Sequence, residues 1–104
     1  MRSALTVLAL TGLLMLVPAA SASARECGRV SLPYGYSARV NFTGNTTCTT
    51  ARLVVRDNLA KRLRRQTGGT GRTRLKGFSC RPTHGDEAMC VKGATTAFGY
   101  SLRN

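Results

Sequence analysis

Tryptophan is absent from this sequence, histidine occurs once, and acidic residues number only four. Each shortage removes a class of chemistry. General acid–base catalysis needs a positioned proton carrier. The one histidine, His84, lies in Pro82-Thr83-His84-Gly85-Asp86-Glu87, which reads as an exposed turn. Asp86 and Glu87 are adjacent, so they cannot flank a substrate from one strand. No Gly-x-Ser-x-Gly elbow occurs. No catalytic residue is expected, and the chain reads as a non-enzyme.

Further absences narrow the ligands. No Cys-x-x-Cys pair exists, whereas zinc sites take ligands about two to four residues apart. No metal is expected. Gly68-Gly69-Thr70-Gly71 follows a helix candidate and precedes a strand candidate, the reverse of the nucleotide fingerprints, so no cofactor is expected either. Tyr34, Tyr36 and Tyr100 are scattered, which offers no evident platform for stacking bases. After Val17 there is no long apolar run, so no integral membrane span is expected beyond the leader.

The leader is the clearest positive feature. Residues 1–24 read as a secretory signal peptide: Arg2, an apolar run from Ala4 to Val17, Pro18, and the small-residue cleavage site Ala22-Ser23-Ala24. Cleavage would remove 24 of 104 residues and leave one 80-residue domain, 25–104. Cys27, Cys48, Cys80 and Cys90 all follow the cut, in an oxidising compartment where disulfides form. A domain this small buries a marginal core, and each bridge contributes about 2–4 kcal/mol. The expected location is secreted, outside the cell. Asn41-Phe42-Thr43 and Asn45-Thr46-Thr47 fit the glycosylation acceptor, but the arginine and alanine bias favours a bacterial source, where they carry no meaning.

Local patterns give the elements. Residues 27–32 form a strand candidate, and Pro33-Tyr34-Gly35-Tyr36 a turn. Ala38, Val40 and Phe42 alternate with Arg39 and Asn41, as in a half-buried strand. Asn45, Thr46 and Thr47 are helix-capping residues ahead of a helix from Cys48 to about Arg65. Its stripe is Ala51, Val55, Leu59 and Leu63, widened by Val54, while Asp57 and Lys61 sit one turn apart. Residues 66–74 read as a flexible, basic, glycine-rich loop projecting from the body. Leu75–Arg81, Ala88–Lys92 and Thr95–Leu102 read as three further strands, the last turning Phe98, Tyr100 and Leu102 to the core. The expected fold is α+β: a small antiparallel sheet of four or five strands with one packed helix, stapled by disulfides.

Four cysteines allow three pairings. Cys27–Cys48 with Cys80–Cys90 is preferred, because each joins elements expected to be neighbours; both crossed pairings stay open. A net charge of +12, or +11 without Arg2, invites an anionic partner such as an acidic polymer or envelope surface, and non-specific nucleic acid. Arg62, Arg64, Arg65, Arg72, Arg74 and Lys76 crowd the helix end and the loop after it, and form the candidate anion-binding cluster. Arg29 and Arg39 lie apart from it. A protease inhibitor is the alternative, with Arg81-Pro82-Thr83-His84 as the nearest presented loop; a purely structural or solubility role is the second alternative.

Cys27-Gly28, the run Asn45-Thr46-Thr47-Cys48-Thr49-Thr50-Ala51-Arg52, and Gly77-Phe78-Ser79-Cys80 followed by Cys90-Val91-Lys92-Gly93 occur together. With them the chain resembles small secreted actinobacterial proteins of unknown function that carry a Cys-x-x-Ala-Arg helix and a Gly-aromatic-x-Cys…Cys hairpin. The resemblance implies export and a stapled α+β fold, and no activity.

Overall fold

The structure, a computed structural model, describes residues 23–104. The signal-peptide reading of 1–24 lies, but for its last two residues, outside the described residues. Six strands form one antiparallel sheet, and one helix covers one of its faces. The strands are β1 (Arg25–Ser31), β2 (Tyr36–Thr43), β3 (Thr73–Leu75), β4 (Phe78–Pro82), β5 (Glu87–Lys92) and β6 (Thr95–Arg103). They lie side by side as β1-β2-β6-β5-β4-β3. The helix α1 spans Cys48–Leu63.

The expected α+β architecture with disulfides is present, with six strands in place of four or five. The sixth comes from Leu75–Arg81, expected as one strand. Lys76 and Gly77 both have positive φ, 52° and 83°. That is the backbone a tight two-residue hairpin needs, and glycine takes it without strain. The chain therefore doubles back there, pairing Leu75 with Phe78 and Thr73 with Cys80.

Thr47 caps α1, its side chain accepting the Thr50 N–H at 3.2 Å. Ala51, Val54, Val55, Asn58 and Leu59 follow the spacing of one helical face and are buried. Leu53 is exposed and Leu63 only partly buried. The expected Asp57–Lys61 pair forms, at 3.3 Å. Under the helix, Val40, Phe42, Phe78, Cys80, Ala88, Cys90 and Ala97 complete the core.

The preferred cysteine pairing is the one the structure contains: Cys27–Cys48 and Cys80–Cys90. A bulge between Glu26 and Arg29, with Gly28 at φ 78°, accompanies a Cys27 that is buried and bonded to the first residue of α1. Cys80 and Cys90 stand directly opposite each other on β4 and β5.

The orientation of β6 corrects the expectation. Ala97, Gly99 and Ser101 are buried, while Tyr100 and Leu102 are exposed and Phe98 is half-buried. The small residues face the helix because it passes directly over them. A Cβ on Gly99 would stand 3.1 Å from Val55 Cγ1 and 2.6 Å from the Arg39 carbonyl oxygen.

Candidate anion-binding face

The sequence cluster is spread from the end of α1 to the β3–β4 turn, with Arg72 beside Arg74 and Arg74 beside Lys76. Arg64 caps the end of α1 and Arg65 follows it; both are exposed. Arg65 has a φ of 57°, and its N–H donates to Arg62 O while Gln66 N–H donates to Lys61 O. This is a left-handed helix stop, with arginine where glycine is favoured. Lys76 lines one cavity with Arg74 and Ser79 and another with Thr46, Thr50 and Lys92, beside the start of α1. Sixteen helical residues separate the two ends, about 24 Å at 1.5 Å per residue.

Arg62 turns inward. Its Nη1 donates to Glu87 O at 2.8 Å and to Asn58 Oδ1 at 3.4 Å, and its Nη2 donates to Gly85 O. Partial burial lowers its pKa, opposed by the Asp86 carboxylate. It holds the β4–β5 turn to the helix, so the guanidinium is already engaged by the protein. Arg52 and Arg56 are engaged likewise, donating to Cys27 O and Ser31 O on edge strand β1, both at 2.9 Å.

The remaining two residues of the cluster, Arg72 and Arg74, gain a neighbour that sequence reasoning assigned elsewhere. They line a cavity of about 320 Å³ with Thr73, Ser79, Cys80, Arg81 and Val91. Arg72, Arg74 and Arg81 are all exposed. The segment 66–74 is thus not merely a projecting loop: Thr73 and Arg74 are in β3. Asn58, fully buried, ties the segment down, its Nδ2 donating to Gly71 O and Thr73 Oγ1, each at 2.9 Å. Gly71 packs against Pro82, closely enough that a Cβ would meet Pro82 Cγ at 2.8 Å. Arg81 and Pro82, assigned to an inhibitor-like loop, belong to β4 and pair with Met89 and Ala88. His84, Gly85 and Asp86 make an exposed turn, and Glu87 Oε1 accepts from Thr83 Oγ1 at 2.6 Å.

The cavity lies at one side of the sheet face that α1 leaves open. Residues directly opposite on paired strands point to the same face. One row across it runs Arg81, Met89, Phe98, Asn41; the next runs Glu87, Tyr100, Arg39, Arg29. Arg74 joins through its partner Ser79. Arg29 and Arg39, remote from the cluster in sequence, face each other directly across β1 and β2, an arrangement that repels. Four arginines thus share the face with two carboxylates, Glu26 and Glu87. Among the described residues the ion pair formed is Lys61–Asp57, which involves none of them. No sequence signal marked this grouping, because it depends on strand order.

Among the described residues there is no group of three or more metal-ligating side chains, and no helix long and apolar enough to cross a membrane. Comparison with protein-family models, with curated proteins and with solved structures finds no match.

Proposed function

We propose that this protein is an exported, non-enzymatic basic domain that binds an anionic polymer or envelope surface. The observation that carries the reading is the convergence of Arg72, Arg74 and Arg81 on one exposed cavity beside Ser79. Guanidinium groups present planar donor forks suited to phosphate, sulfate and carboxylate. The net charge would draw such a polymer in from a distance. Export is supported by the leader of residues 1–24 and by the two disulfides.

The test is binding to heparin, duplex DNA and anionic vesicles at low salt, with salt then raised. Counterion release makes log affinity fall linearly with log salt. Replacing Arg72, Arg74 and Arg81 by serine should reduce the slope by about 3, roughly one unit per contact. Replacing Arg64 and Arg65 should leave it nearly unchanged. Equal loss from both sets would assign the binding to bulk charge, and no binding to any of the three would overturn the reading.

A further inference from the structure

We infer that the open sheet face binds single-stranded nucleic acid, with Phe98 and Tyr100 stacking bases and Arg29, Arg39, Arg74 and Arg81 holding phosphates. The inference rests on the anion-binding reading and names the ligand class of that same face. Phe98 and Tyr100 are two residues apart on β6, so they share a face and stand about 6.7 Å apart along the strand. β6 lies at the middle of the sheet, with β2 on one side and β5 on the other. Tyr100 is 43% exposed, high for an aromatic ring with apolar Leu102 two residues along on the same face. An exposed tyrosine and a half-buried phenylalanine at the centre of a sheet, with four arginines against two carboxylates on the same face, make a surface on which unpaired bases stack.

The charges choose among occupants. Tyr100 stands between Arg39 and Glu87 along its row, with Arg29 beyond Arg39, and Arg81 lies beyond Met89 from Phe98. A second copy of this chain would bring four more arginines against only two carboxylates and leave positive charge uncompensated. A phosphodiester chain neutralises the arginines and relieves the Arg29–Arg39 repulsion. A duplex would supply the same phosphates but keep its bases from the rings. The rings would then contribute nothing, so single strands should be preferred.

The experiment compares a labelled oligothymidylate, the same strand in a duplex, and heparin, by fluorescence anisotropy at low salt. The expected result is tighter binding of the single strand than of the duplex. Phe98→Leu with Tyr100→Leu keeps apolar side chains at both positions while removing the rings, and circular dichroism checks the fold. That pair of changes should weaken oligothymidylate binding at least about tenfold and leave heparin binding unaltered. Because the chain has no tryptophan, tyrosine emission is directly visible. Oligothymidylate should quench it, and Tyr100→Phe should abolish most of the quenching while retaining affinity. Equal binding of strand and duplex, or no effect of the leucine variant while heparin still binds, would overturn this inference and leave the anion-binding reading standing. Failure of the wild-type protein to bind oligothymidylate would overturn this inference alone, and its failure to bind heparin, duplex and anionic vesicles would remove both. Self-association in sedimentation that the leucine variant abolishes would also overturn it, assigning the face to a dimer.

Discussion

Gly99 lies directly beneath Val55, and a methyl group added to it would stand 3.1 Å from the valine Cγ1. The same methyl would meet the Arg39 carbonyl oxygen at 2.6 Å. The helix can sit close to the sheet at this point because β6 offers it no side chain. Gly99→Ala should therefore destabilise the domain by about 1–3 kcal/mol, the usual cost of overpacking. Urea unfolding measures it, and an unchanged midpoint would mean that helix and sheet are further apart.

Asn58 holds the glycine-rich segment. Replacing it by alanine leaves Gly71 O and Thr73 Oγ1 without their donor and opens a gap in a buried site. The expected cost is about 2–3 kcal/mol. Trypsin should also cut faster at Arg72 under native conditions, once the segment is released from the helix. Unaltered cleavage would show that the two hydrogen bonds do not hold it.

Arg62 separates structure from binding. Arg62→Met keeps much of the side chain's length but removes the donors to Glu87 O and Gly85 O. Stability should fall by about 1–3 kcal/mol, while the salt slope for heparin stays as in the wild type. A slope reduced by about one unit would return Arg62 to the binding surface.

At Arg65 the substitution should help. Its φ of 57° is a left-handed conformation that costs a side-chain-bearing residue about 1 kcal/mol or more. Arg65→Gly should raise stability by about 1 kcal/mol, or roughly 4–8 °C in Tm for a domain of this size. A lower Tm would mean that the arginine makes contacts worth more than the strain.

The two disulfides differ in exposure. Cys80 and Cys90 are 1% and 0% exposed, beneath α1, whereas Cys48 is only partly buried. Thiol exchange requires access to a sulfur. Under native conditions a mild reductant should open Cys27–Cys48 first, seen by alkylation and mass mapping. Early labelling of Cys80 and Cys90 would contradict this order.

Much of the local structure was legible in the residues themselves. The capping Thr47 and the stripe through Ala51, Val55 and Leu59 define the helix, because a cap and a 3.6-residue period are local properties. The first hairpin and the preferred cysteine pairing followed from short spacings in the same way. The Lys76–Gly77 turn is the exception among local features: in a short run a glycine after lysine reads as strand interior, but the positive φ of both residues divides one strand into two. The rest needed the tertiary arrangement. Alternation along β6 shows that the strand has two faces, but not which one a helix covers. That was settled by packing, since only the row Ala97, Gly99, Ser101 is small enough to lie under Val55. Phe98 and Tyr100 were thereby left on the open side. The same placement separated Lys76 from Arg64 and Arg65 by the length of the helix, turned Arg62 toward backbone carbonyls, and set Arg39 beside Tyr100. The sequence determined the number and sign of the charges and which segments fold. Only the order of strands in the sheet, and the side on which the helix lies, decided which charges meet, because distances between residues far apart in the chain are set by packing and by no local rule.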